Sequence, residues 1–385
     1  MKRFFVGALV LFSLLSTNAF AQLSVSQILT KTKNSIRSKE FLEAKPVFRI
    51  KHFNDADTSI FHAHIFIRRD AHDSVFDSKY WIGVNEFPGS IAIHNAPEIL
   101  KTNAKDKTAT LYLTSQNEEW AVTSSMYGNF LWDCFLYPED LLKDTAYVTA
   151  PVVKKMHKGK LCYVLSFTYP DKEEFKNRQR SIYITADGFI PVYECSSVSF
   201  QNNVQFSEFE LGYYNFKPIN ESRFSIKNNG NGYKVDRYKE RQIEVLDSGA
   251  SAPLLVGVNL HNSERDTIGF KGNYTLLDFW YMGCMPCIKA IPEIQKLADK
   301  YSFLKVYGVN CFDTAKERIE QLPKFRASNN MRYPVLLTDK QTTRNFKVDV
   351  WPTIYLINKE GIVIYSEIGK PENFDRLESI LKQLR

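Results

Sequence analysis

The stretch FWYMGCMPCIKAIP, residues 279–292, sets two cysteines two residues apart between a strongly apolar run and the start of a helix. Such a pair can be half of a metal site, a haem attachment, a structural bridge, or a dithiol that opens and closes. A zinc site needs about four ligands, yet the histidines stand at 52, 62, 64, 72, 94, 157 and 261, so the domain that holds the pair has none after its entry segment. Cys311 is the one further thiol there. Haem attachment wants a histidine directly after the second cysteine, and Ile288 occupies that place. The missing histidine also removes a Cys-His nucleophile of the protease kind. A static bridge across so short a loop adds little stability, which leaves a redox pair.

The flanking residues supply what such a pair requires. Cys284 is predicted at the end of an apolar strand and the N-terminus of a helix, where unpaired N–H groups and the helix dipole stabilise a thiolate. Cys287, one turn further in, is placed to resolve a mixed disulfide by attacking Cys284. Pro286 removes one N–H and fixes the loop, and Met285 offers an apolar contact.

Around this centre the pattern predicts alternating elements: strand YTLLDFWYM, helix Cys287–Tyr301, strand FLKVYGVNCF, and a helix from Thr314 to Ser328. Strand YPVLLTD, a short helix near Gln341–Phe346, strands PTIYLIN and GIVIYSEI, and a last helix follow. The last helix puts Phe374, Leu377, Leu381 and Leu384 on one face. Together they describe an α/β domain with a mixed sheet. The small, flexible LDSGASAPLL, residues 246–255, precedes it, so the boundary is expected there, with domains at 22–245 and 246–385.

Upstream the rhythm changes to period two, in FHAHIFIRR, TATLYLTS, LCYVLSFTY, SIYITADGFIPVYECSSVSF and VQFSEFELGYYNF. These are half-buried antiparallel strands, with turns expected at Asp187-Gly188 and Asn229-Gly230. One amphipathic helix precedes them in SVSQILTKTKNSIR, where Ser24 and Gln27 can form a capping box. His62 and His64 share one strand face with Phe66. A Cys162–Cys195 bridge is expected as one pairing, with Cys134 then free or pairing in its place. Cys311 reads as a small buried hydrophobe or a second redox thiol.

At the N-terminus Lys2 and Arg3, an apolar run from Phe4 to Leu15 and Ala19-Phe20-Ala21 read as a cleaved secretory signal, residues 1–21. A run of about a dozen apolar residues is short for a membrane span, so the expectation is an exported, periplasmic protein, soluble after cleavage. Of the 50 basic residues, 48 then remain against 43 acidic ones. That mild excess, without a long single-sign run, points to neither nucleic acid nor anionic membrane.

The residues around the pair carry a resemblance to the thioredoxin superfamily. Asp278-Phe279-Trp280 with Cys284 four beyond the Trp is similar to its signature, Pro292 matches the proline that kinks its first helix, and Trp351-Pro352-Thr353 precedes a strand as its second motif does. GASAPLL resembles the entry of the TlpA-like and AhpC/TSA-like branches. The resemblance, over roughly residues 249–385, implies a thioredoxin fold and thiol-disulfide oxidoreductase activity without a cofactor or metal. It gives Cys284 the role of nucleophile, Cys287 that of resolving thiol, and Asp278 that of proton carrier. It assigns a cis peptide to Pro352 and contacts with a protein disulfide or dithiol substrate to Trp351, Pro352, Thr353 and Trp280. An unidentified redox partner is implied as well.

Three departures narrow it. Gly283 stands where many relatives have Trp, Ala290 where cytochrome-maturation reductases keep a glutamate, and Tyr281 where a peroxiredoxin has Thr. Thiol peroxidase activity is accordingly the minor reading. The N-terminal domain resembles the half-barrel of lipoprotein carriers (LolA-like), which implies an apolar ligand or a dimer partner on its sheet. An envelope lipid- or peptide-binding protein with an accessory redox domain is the rival reading.

Overall fold

The structure is a computed structural model. It describes residues 23–53, 55, 57–131, 141, 146–172, 175–200, 203–240, 243–369 and 374–384. The expected signal, residues 1–21, and Cys134 lie outside the described residues. The chain divides into two compact units, one running up to Ile50 and from Ser59 to Arg237, the other formed by Lys51–Thr58 and Tyr238–Arg385.

The first unit opens with helix α1 (Val25–Arg37). Its start is fixed by the capping box: Gln27 N–H donates to the Ser24 hydroxyl, and the Ser24 N–H donates to the Gln27 side chain. The apolar stripe of α1 buries Ile28 and Leu29 beside Leu165, Phe167 and Ile182, and Ile36 beside Ile65, Tyr80 and Ile82. Each such side chain contributes about 2 kcal/mol of burial. A thirteen-stranded sheet carries this core. Strands β1 (Phe41–Lys51), β2 (Ser59–Arg69), β3 (Ser78–Val84), β4 (Ile91–Asn95), β5 (Glu98–Asn103) and β6 (Thr108–Leu113) form an antiparallel meander.

Short helices α2 (Trp120–Thr123) and α3 (Met126–Leu131) follow. Next come β7 (Val148–Thr149), β8 (Val153–His157), β9 (Lys160–Tyr169), β10 (Phe175–Thr185), β11 (Pro191–Phe200) and β12 (Asn203–Asn215). Strand β12 returns beside β1, and β13 (Lys234–Arg237) closes the other edge parallel to β6. The alternating pattern of the sequence thus becomes a mainly antiparallel sheet, as expected for residues whose alternate side chains face a core.

Two expectations fail here. Asn229-Gly230 does not make a hairpin turn; it ends α4 (Ile226–Gly230), which is capped by the Ser225 hydroxyl accepting from Asn228 N–H. Cys162 and Cys195 are free thiols. They sit on β9 and β11, opposite Thr185 and Ser181 of the intervening β10. Two strand spacings and that four-residue offset set them roughly 16 Å apart, far beyond the ~7 Å reach of a disulfide. His62 and His64 are each taken by a carboxylate, Glu86 and Glu43, both at 2.8 Å, and no group able to hold a metal occurs among the described residues.

In the second unit seven strands form a mixed sheet. In chain order they are β14 (Leu255–Asn259), β15 (Arg265–Ile268), β16 (Tyr274–Phe279), β17 (Leu304–Asn310), β18 (Val335–Leu337), β19 (Thr353–Ile357) and β20 (Val363–Ile368). Their order across the sheet is β15-β14-β18-β17-β16-β19-β20. Strand β16 runs parallel to β17 and antiparallel to β19. Helices α5 (Met285–Lys300), α6 (Lys316–Ser328), α7 (Lys340–Asn345) and α8 (Asp375–Gln383) complete the unit. Central β16 and β19 are buried along nearly their whole length because the sheet is covered on both faces. A core of Leu277, Phe279, Val309, Leu336, Phe346 and Tyr355 surrounds them.

Candidate active site

The site begins where β16 ends. Trp280 N–H donates to Val309 O at 3.0 Å, so the chain stays paired with β17 for one more residue before turning. Cys284 is the N-cap of α5, in extended conformation, and Cys287 N–H donates to its Sγ at 3.2 Å. Met285 and Pro286 take the first two helical positions, where a missing N–H costs nothing because no intrahelical acceptor exists for it. Cys284 and Cys287 are joined by a disulfide with a Cα–Cα distance of 5.2 Å, and both are buried. Pro292 lies inside α5.

Six residues before Cys284, near the end of β16, Asp278 is fully buried, opposite Gly308 of β17 and Ile354 of β19. Its Oδ2 accepts the Tyr333 hydroxyl at 2.8 Å, and its Oδ1 has no hydrogen-bond partner. Burial raises the carboxyl to about 7, against the opposing pull of the Tyr333 hydrogen bond. The Trp351-Pro352 peptide is cis. Trp351 is half-buried, and its ring meets Phe312 at 4.7 Å and Tyr281 at 6.2 Å. Phe312 is 47% exposed. Tyr281 lies over Gly283, where an added Cβ would be 3.3 Å from the ring. The ring thus covers the space that the absent Trp side chain leaves.

Three of the four residues expected to touch a substrate, Trp280, Pro352 and Thr353, are buried. Trp280 is wholly buried, stacked on Phe325 with ring centroids 5.2 Å apart. Thr353 is buried too, its hydroxyl donating to Val350 O at 2.7 Å. Trp280 continues the buried run of β16, and Thr353 begins that of β19. Pro352 is buried with its carbonyl accepting Gly369 N–H. Cys311 is buried, and burial pushes its thiol up to about 11, which makes it a poor nucleophile.

Sequence reasoning missed Tyr333, Phe312 and Asp313. Asp313, 1% exposed, accepts from Met282 N–H (2.8 Å) and Asn310 Nδ2 (2.7 Å) on Oδ2, and from Arg318 on Oδ1. It ties the loop before the disulfide to the loop after β17. Its only local signal is an acid three residues past the strand end, in VNCFD.

A disulfide across the N-cap of the helix that follows a central strand, a buried carboxyl near the end of that strand, and a cis-prolyl loop whose Trp351 meets Tyr281 of the cysteine loop define a thioredoxin-like redox domain. Residues 249–366 match the AhpC/TSA family. The thiol-disulfide oxidoreductase ResA of Bacillus thuringiensis subsp. konkukian is 32% identical over 149 residues, 38% of this chain and 82% of that protein. The thioredoxin-like protein YneN of Bacillus subtilis is 26% identical over 133 residues, 34% of this chain and 77% of its own length. Among solved structures, the thiol:disulfide interchange protein DsbE of Chlorobium tepidum is 25% identical, with 36% of this chain and 96% of that one covered, at a TM-score of 0.32. The chain belongs to this family of thioredoxin-like thiol-disulfide oxidoreductases. No helix among the described residues is long and apolar enough to cross a membrane.

Proposed function

We propose that residues 246–385 are the working domain of an exported, periplasmic enzyme that exchanges disulfides with protein clients through Cys284 and Cys287. The observation that carries this is the bonded pair at the N-cap of α5, backed by a buried, raised carboxyl. In the reduced enzyme the N–H of Cys287 and the helix dipole favour the Cys284 thiolate. That thiolate attacks a client disulfide, breaking its S–S bond and expelling one client thiolate. Cys287 then gives its proton to Asp278 and attacks Cys284 Sγ, and the second client thiolate leaves. Two electrons pass to the client, and the enzyme is left oxidised. The reverse sequence oxidises a client dithiol.

Trp351, Phe312 and Tyr281 offer an apolar rim to the client beside the cis-prolyl loop, and the N-terminal sheet is assigned the recruitment of the client, of an apolar ligand or of a second copy. The test is Cys287→Ser in the exporting cell. Without the resolving thiol, client chains accumulate as mixed disulfides on Cys284, released by reductant. If no such adducts form while Cys284→Ser removes nothing either, the proposal fails. Equilibration against glutathione then gives the direction, since potentials of related dithiols run from about −270 to about −120 mV.

A further inference from the structure

Tyr333 precedes β18 and is buried, and nothing in its local sequence marks it as functional. Its position is nevertheless closely fixed. Gln295 of α5, the helix that carries Cys287, accepts the Arg332 N–H at 2.7 Å and the Tyr333 N–H at 3.3 Å. From α6, Arg326 donates to the Tyr333 carbonyl at 2.9 Å. The ring lies against β17 at Gly308, where an added Cβ would come within 3.2 Å of Tyr333 and 2.7 Å of Trp280 Nε1. With the backbone held from two helices and the ring held by the strand, the hydroxyl has a fixed place, 2.8 Å from Asp278 Oδ2.

We infer that Tyr333 is a positioning residue for the exchange reaction: by donating to Asp278 Oδ2, it leaves the unpartnered Oδ1 as the oxygen that takes and returns the Cys287 proton. The inference rests on the thiol-disulfide reading above. In the resolving step the Cys287 S–H bond breaks and its proton goes to Oδ1. The resulting thiolate forms the S–S bond to Cys284, and the client thiolate departs with the electron pair of the broken bond. The proton on Asp278 then passes to that thiolate or to solvent. A carboxylate with both oxygens satisfied would be a weaker base, and one with neither satisfied would hold its proton too firmly.

The groups facing Asp278 are few. Gly308 and Ile354 on the flanking strands do not titrate. Tyr333 remains, with Arg326 beyond it. A pH inflection in the resolving step therefore has a short list of origins. Losing one hydrogen bond to a charged oxygen raises that inflection by about one pH unit, since such bonds are worth roughly a factor of ten or more.

The experiment uses the reduced full-length protein and the disulfide probe 5,5′-dithiobis(2-nitrobenzoic acid), followed by stopped flow. The first phase is attack by Cys284 and the second is closure by Cys287, each releasing one thionitrobenzoate. Closure in the wild type is expected to inflect near pH 7. In Tyr333→Phe, which keeps the ring, the inflection moves up by about one unit, while the profile of the first phase stays in place. In Asp278→Asn it disappears, and adding Tyr333→Phe to that variant changes nothing further. An inflection unmoved by Tyr333→Phe, or one that moves together with the first phase, overturns the inference and leaves the exchange chemistry intact. A wild-type protein that shows no closure phase overturns the thiol-disulfide reading itself, and this inference with it.

Discussion

Replacing Asp278 with Asn isolates the energetic consequence of burying an acid in β16. The carboxyl is wholly enclosed and burial raises it from the ordinary aspartate value of 3.8 to about 7. At about 1.4 kcal/mol for each tenfold change, that gap amounts to about 4 kcal/mol. The folded state holds the proton more tightly than the unfolded chain, so the full stability is present below pH 3.8. It falls as pH rises, because the unfolded chain ionises first, and levels off above about 7. Roughly 3 kcal/mol of the loss accumulates between pH 5 and pH 8.

Asn keeps the shape and cannot ionise. It leaves an amide N–H₂ short of acceptors, which costs about 1–3 kcal/mol, equally at every pH. The prediction therefore concerns the change with pH: Asp278→Asn gains about 3 kcal/mol on the wild type between pH 5 and pH 8. Hydrogen exchange of the peptide spanning Tyr274–Phe279 in the oxidised protein reads the second unit by itself, with wild type and variant compared at each pH so that intrinsic exchange rates cancel. Parallel stability curves would refute the reasoning, since they would mean that Asp278 holds its proton no more firmly folded than unfolded. A variant that loses ground as pH rises would reverse the sign and make Asp278 a stabilising carboxylate.

Gly308→Ala places a Cβ 2.7 Å from Trp280 Nε1 and 3.2 Å from Tyr333 and Val335, and this overpacking is expected to cost about 1–3 kcal/mol, read as a lower urea midpoint for the second unit. Asp313→Ala strands the buried Met282 N–H and Asn310 Nδ2 and leaves Arg318 one partner fewer. With Arg318 part-exposed, the expected loss is about 2–3 kcal/mol, accompanied by faster exchange at the Met282 amide and slower attack by Cys284. Unchanged exchange at Met282 would show that Asp313 does not hold that loop.

The parts legible in the sequence are those whose cause is local. Ser24 and Gln27 are three residues apart, and a capping box needs no more than that. The spacing of Cys284 and Cys287 in front of a helical pattern likewise contains its own geometry. The period-two runs from Phe41 onward become strands because alternate side chains must share one face. The burial of Trp280 and Thr353 was not legible for the complementary reason. Their burial depends on what packs over β16 and β19, Phe325 in the first case, and the sequence around Trp280 does not mention a ring 45 positions away. Asn229-Gly230 carries a strong turn signal, but the Ser225 hydroxyl four residues before it caps a helical turn, and Asn229 donates back to Ser225 O at 2.8 Å. Tyr333 and Asp313 reach the site across 55 and 31 residues of chain, through contacts that only the assembled sheet creates.

Asp278 also bears on whether this domain is a working site or a retained scaffold. A sheet selected only for stability would place an apolar residue near the end of β16, between Leu277 and Phe279, where neighbours on both strands are uncharged. The acid that stands there costs about 4 kcal/mol at pH 8, a large share of the 5–15 kcal/mol by which domains are typically stable. Tyr333 recovers part of that through one hydrogen bond and leaves Oδ1 unsatisfied. A buried, half-satisfied carboxyl in a central strand is a liability that packing does not explain. The proton transfer proposed above would give it a use, because a base near neutrality serves where a thiol must lose and regain its proton.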